Sequence, residues 1–385
     1  MHPFHSLDFY MTGVPGDIAP GHPLWGHSLA GRSAEFAGKT DAGNDNWTIG
    51  DYFLAARMFV SSPQVLAGIE KTLEPGGASP GDWDIVLDLQ KHGAFYHPIK
   101  MSVSVPGSAG GQSFVLNGGV SSHGRALSQK EACFFSWLKD RLPDPVTPEV
   151  VAAGQVKTTA GAAGFFMARW LEGYYEFHIT RGRDRVAVWR PGKDTWYLSL
   201  ADALPAYENI ARILTLAYEP DSGDQVLLWH HAAGDFIMAP DQSGLPVKLI
   251  TVRACASLVA DALLANGSMP GLLFFFVNLC LRMQIDRFDG VGDPVFLGDQ
   301  VLRATLRGFL SGVAYRAGEL ETQTVHGIWK FFSGFSAQQL ELILDQVIDA
   351  WPPGPLERKL IFSEKSVLAG QIQEIFKYGR VCDFY

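Results

Sequence analysis

The sequence predicts an α+β fold in which a small antiparallel β-rich lobe is followed by a larger, mostly α-helical lobe with one embedded β-hairpin. Three observations predict it. Residues 82–116 alternate apolar and polar side chains at period two around short Gly turns. Beyond residue 200 the apolar residues mostly recur at helical spacing. Within that helical part, residues 226–253 (VLLWHHAAGDFIMAPDQSGLPVKLITVR) set polar turns among strand-like runs. Loops on a rigid scaffold are where functional side chains gather, so this stretch is the first place to look for a site.

Taken in order, the elements support an organisation of three parts. Residues 1–80 form a leader and a helix: 11–50 are crowded with Gly, Pro, Asp and Asn, so the leader is expected to have no regular structure of its own and to be either flexible or ordered by docking. His2, His5, His22 and His27 lie in or just before it, at spacings that match no helical or hairpin pair of metal ligands. A helical stripe begins near Trp47 and is expected to end at Pro75-Gly76-Gly77. Residues 81–175 form the β-rich lobe, with strands at 82–89, 99–105 and 113–116 and a turn at 91–94. A helix at 128–142 follows, opened by a Ser128–Glu131 capping-box pattern and closed by Pro143, Pro145 and Pro148. Strands at 149–156 and 164–173 complete this lobe. Residues 176–385 form the α-rich lobe, with helices at 205–218, 256–266, 271–286, 298–316, 337–351 and 356–378 around the hairpin.

Composition limits the function classes. With 47% hydrophobic against 18% charged residues the 385-residue chain is globular. Its net charge of −9 and lack of a basic run argue against nucleic-acid binding. The N-terminus has no positive region followed by an apolar one, and the greasiest run, 272–281, meets Arg282 and Asp286 short of the roughly 20 residues a membrane span needs. Neither secretion nor a membrane is expected, and a cytoplasmic protein is. Cys133, Cys255, Cys280 and Cys382 show no CxxC spacing, as expected of buried thiols in a reducing compartment.

The order of elements resembles the protein-kinase-like fold, in particular the aminoglycoside phosphotransferase and choline kinase branch. Glu131–Leu142 and the prolines after it are similar to that branch's Glu-bearing helix. Phe165–Gly173 (FFMARWLEG) is similar to its apolar strand and hinge. The family's large lobe carries a catalytic loop of the type HGDxxxxN, then a hairpin whose second strand ends in a metal-binding Asp. Laid on this chain, Asp235 takes the place of the Asn and His230 that of the catalytic Asp. A rival register makes Asp235 the base and leaves Pro240 for the Asn. In either register Thr251 stands where the metal-binding Asp should be, and Asn117 stands where the phosphate-anchoring Lys should be. Only Glu131 of that set is retained in kind.

These departures bear on chemistry, because phosphoryl transfer rests on charge neutralisation by Mg²⁺ and Lys around a positioned hydroxyl. The resemblance therefore implies a catalytically degenerate, pseudokinase-type module that binds a small molecule or a protein, with Mg²⁺ and ATP bound weakly if at all. The alternative is an atypical metal-dependent phosphotransferase with His230 as base and Asp235 as metal ligand. Asp235 can hold Mg²⁺ through oxygen or cap an Asx turn, and His230 and His231 can act as base, ligand or loop brace. Asn117, Glu131 and Thr251 are the remaining candidate cofactor contacts. Glu172, Glu176 and His178 share a period-two strand face that can approach the hairpin. Asp286, Asp289 and Asp293 form a loop cluster that fails the EF-hand spacing.

Overall fold

The computed structural model describes residues 3–29, 47–73, 79–90, 96–107, 110–143, 145–181, 185–227, 232–252, 254–259 and 267–384. The α+β class is as expected: strands dominate the N-terminal half and helices the C-terminal half. The chain divides into two compact units, Met1–Trp137 with Pro148–Leu171, and Leu138–Thr147 with Glu172–Tyr385.

The first unit is built on one six-stranded sheet. Its strands are β1 (Ser6–Met11), β2 (Asp84–Leu89), β3 (His97–Ser104), β4 (Gly111–Gly119), β5 (Val150–Thr158) and β6 (Gly161–Arg169), in spatial order β1-β2-β3-β4-β6-β5. All neighbours are antiparallel except β1 and β2, which run parallel with Ser6 opposite Asp84. The expected meander is β2-β3-β4, and its alternation sends Ile85, Leu87, Ile99, Met101 and Val103 into one buried face. Helix α1 (Ile49–Val60) packs on that face: Phe59 stacks on Phe165 at 5.2 Å, and the Tyr52 hydroxyl donates to the His97 carbonyl at 2.5 Å. A side chain at Gly118 would collide with that hydroxyl and the Phe165 ring.

Three expectations need correction here. The helical stripe after Trp47 is two helices, α1 and α2 (Pro63–Glu70), because Pro63 lacks an N–H and starts the second helix instead of continuing the first. The described part of the leader, residues 3–29, has regular structure and is docked. Residues 6–11 form β1, and the following segment docks through fully buried Ile18, whose N–H bonds the Phe9 carbonyl, and through Trp25, 5.7 Å from Phe9. His22 accepts from the Leu24 N–H, and the turn expected at 91–94 lies outside the described residues. Finally, α3 (Ser122–Lys139) starts six residues before Ser128, and its capping oxygen is Ser121 Oγ, which accepts from the Gly124 N–H at 2.9 Å. Ser128 is buried within the helix and donates to the Arg125 carbonyl.

The parallel strand β1 is tied to β2 by side chains as well as backbone. His5 Nδ1 and Ser6 Oγ both bond Asp84 Oδ1, at 2.8 and 2.6 Å. The Ser6 hydroxyl first, and His5 second, hold the Asp84 carboxyl below the usual carboxylate range. A depressed carboxylate stabilises the fold above its unfolded-state value and loses that contribution as pH falls through the folded one. Hydrogen exchange of the β1 amides, corrected for intrinsic rate, is therefore expected to quicken as the pH falls from about 5 through the acid range in which Asp84 protonates. In Asp84→Asn that pH response should be blunted.

The second unit opens with a five-stranded sheet that the residue patterns do not announce. It contains β7 (Tyr175–Thr180), β8 (Arg185–Val188), β9 (Trp196–Ser199), β11 (Phe236–Met238) and β12 (Val247–Leu249), in order β12-β11-β7-β8-β9. Helix α4 (Leu200–Leu216) follows β9. The strand expected at 226–229 is β10 (Asp224–Leu227), and it pairs with β13 (Ala254–Ser257) rather than with the hairpin. Residues 254–257 are thus a strand where a helix was expected, and 260–266 lie outside the described residues. Between β10 and β11 comes the one-turn helix α5 (Ala232–Asp235).

The rest is helical. The greasy run lies in α6 (Ser268–Met283), buried from Gly271 to Met283 with Phe276 against Phe309, Phe332 and Phe376. After it come a small ribbon of β14 (Ile285–Arg287) and β15 (Pro294–Phe296), then α7 (Asp299–Ala317), α8 (Glu321–Phe332), α9 (Ala337–Ala350) and α10 (Pro355–Tyr378). Helix α8, the ribbon, β8 and β9 were not expected as elements, whereas the strand face read around Glu176 and His178 is β7. Among the described residues no helix is long and apolar enough to cross a membrane. Of the four cysteines only Cys280 is fully buried. Cys133 and Cys382 are exposed, and the half-buried Cys255 thiol is pushed up to about 12, mainly by desolvation.

Candidate functional site

The hairpin β11–β12 holds two of the predicted site residues side by side. Phe236 pairs with Leu249, and one step on the Ile250 N–H donates to the Asp235 carbonyl at 2.9 Å, so Thr251 follows directly on the residue bonded to Asp235. Asp235 closes the turn of α5 and is 3% exposed. His230 and His231 lie outside the described residues, and with them the proposed base.

The strand carrying Glu176 and His178 does reach the hairpin. It is β7, and it pairs with β11 so that Ile237 faces Glu176 and Met238 faces Tyr175. Glu172 precedes the strand and does not share its face. A buried His–Asp pair lies here. His178 Nδ1–H donates to Asp286 Oδ1 at 2.8 Å, and Asp286 Oδ2 accepts from the Ile179 N–H at 2.8 Å. Oδ1 also accepts from the Arg287 N–H at 2.7 Å, so a carboxylate that is 1% exposed meets three donors. The imidazole lies 5.2 Å from the Trp189 ring, and Gly290, at φ +71°, packs against it closely: a Cβ there would sit 2.9 Å from Nε2.

The expected loop cluster of carboxylates is therefore not a cluster. Asp286 is a buried strand residue, Asp289 turns the chain at φ +52°, and Asp293 pairs with Arg181 at the surface at 2.9 Å. Among the described residues no three His, Cys, Asp or Glu side chains are grouped so as to hold a metal ion. The His178–Asp286 pair was missed because its members are 108 residues apart, and no local spacing links them.

Asn117 and Glu131 belong to the first unit. Asn117 sits on β4 opposite Phe166 of β6, and directly opposed residues share a sheet face. Phe166 meets Phe135 of α3 edge-on at 6.0 Å, so Asn117 lies on the face that α3 covers. Glu131 is one turn before Phe135 and 1% exposed, on the buried side of that helix. A carboxylate on the helix and an amide on the strand therefore lie on the same side of the sheet. No protein-family profile matches the chain, and no curated protein matches it either.

Proposed function

We propose that the chain is a catalytically degenerate, kinase-like module that binds a small molecule or a protein in the cytoplasm, and that neither nucleic acid nor membrane is its partner. The observation that carries this reading is the helix α3, inserted between β4 and β5 of an antiparallel sheet, with buried Glu131 over the face that bears Asn117. An amide in place of an ammonium removes the cation that would anchor a polyphosphate. Beside Asp235, Thr251 offers a hydroxyl where a second carboxylate would hold Mg²⁺. Loss of one charge-stabilising group commonly costs about 10²–10³ in rate, and here two are replaced.

The test is thermal shift with Mg·ATP and Mg·ADP alongside a phosphoryl-transfer assay. A ligand at a hundred times its Kd adds about 2.7 kcal/mol to native stability, so even weak binding registers. The expected outcome is a small shift or none, no turnover, and no change in either on Asp235→Asn. Turnover that disappears in Asp235→Asn or His230→Ala would instead establish the metal-dependent phosphotransferase and end this reading.

A further inference from the structure

We propose that Arg282 marks a binding site for a small anion inside the helical unit. Arg282 lies in the last turn of α6 and is 3% exposed. Its guanidinium stacks on the Trp351 ring, with Cζ 3.1 Å from the ring centroid. Nε donates to Asn278 Oδ1 and Nη2 to the Trp351 carbonyl, both at 3.4 Å, which is long for such bonds and reaches only neutral acceptors. Nη1 is buried and has no hydrogen-bond partner. Among the described residues no carboxylate forms an ion pair with Arg282. Glu357, which acts on it at a distance, has Oε1 committed to Arg287 at 3.0 and 3.2 Å.

The same network ends in a second orphan donor. Asn278 Nδ2 donates to Gln225 Oε1 at 2.8 Å, and Gln225 Nε2, on a residue 1% exposed, has no partner. Buried polar groups are almost always hydrogen-bonded, and buried charges are paired. Both unmet groups are donors, and one belongs to a cation. Water satisfies an orphan donor but leaves the charge uncompensated, whereas an anion at Nη1 does both. Nη1 is the one guanidinium nitrogen with no partner in the protein, so the grip the site offers centres on a single nitrogen. The ligand is therefore small, of the size of chloride.

The test is the melting temperature of the full chain at fixed ionic strength, with chloride titrated against gluconate and with acetate and phosphate in parallel arms. The wild type is expected to rise saturably with chloride. Arg282→Met and Arg282→Gln should lose that rise, and in gluconate Arg282→Met should melt no lower than the wild type, because it removes a charge with no counter-ion. Crystals grown in bromide should show an anomalous peak beside Nη1, which decides the matter if the variants do not fold. A wild-type midpoint indifferent to the anion, an identical response in Arg282→Gln, or a bromide map with nothing at Nη1 overturns the proposal. A saturable response to acetate or phosphate and none to chloride overturns the size assigned to the ligand.

Discussion

Replacing Asp286 with alanine is expected to destabilise the second unit by about 3–5 kcal/mol, the scale reached when several donors lose one shared buried acceptor. The size follows from what the carboxylate holds. It accepts from the His178 ring, the Ile179 N–H and the Arg287 N–H, so its loss takes this acceptor from two buried donors and one half-buried one. Each orphaned donor costs about 1–3 kcal/mol, and the void left by the side chain adds to this. The phenol of Tyr207 lies in the same region; burial first, and the Asp286 charge second, push its pKa well up. Asp286→Asn keeps one acceptor oxygen and turns the other into a donor facing a donor, so its loss should be intermediate. Urea unfolding followed by circular dichroism measures both. A loss below about 1 kcal/mol for the alanine variant would contradict the bracing role assigned to this pair.

The second large effect lies where α4 and α7 cross. A Cβ at Gly308 would run into the Glu208 carbonyl oxygen and come within 2.8 Å of Ala211 Cβ, while one at Gly312 would meet Thr215 Cβ at 2.8 Å. The obstructing atoms at Gly308 are mostly helix backbone, which cannot swing aside as a side chain can. Gly308→Ala should therefore force the helices apart and cost about 2–3 kcal/mol, with Gly308→Val worse. Gly327 in α8 supplies the opposite sign. It is exposed with nothing within 4 Å of its Cβ position, so Gly327→Ala should stabilise by up to about 1 kcal/mol through helix propensity alone. Thermal denaturation of the two variants side by side checks the contrast.

What was legible in the residues followed from strong periodicity. The meander β2-β3-β4 shows because Ile85, Leu87, Ile99 and Met101 alternate with polar neighbours, and α6 shows because its apolar run is long. Of the strands β7–β9, only the face of β7 that carries Glu176 and His178 showed. They are only four to six residues long, and Phe177, Ile179, Val186 and Val188 give too few alternations to stand out among aromatic and Arg-rich neighbours. Ser128–Glu131 imitates a helix start because a capping box and a Ser followed by Glu inside a helix have the same letters. Only the buried contact of Ser128 with Arg125 separates the two. Asp235 beside Thr251 was legible from the hairpin alone. Asp286 beside His178 was not, since tertiary folding alone joins β14 to β7.

The parallel seam between β1 and β2 orders events as the chain is made. Ser6 leaves the ribosome long before Asp84, its partner, and the span between them contains both α1 and α2. Closing so long an interval is entropically slow, and Phe9 also needs Phe53, 4.9 Å away, as a surface to settle on. The earlier-made strand thus waits for its later-made partner, and until it docks the outer rim of β2 stands open to any other extended chain.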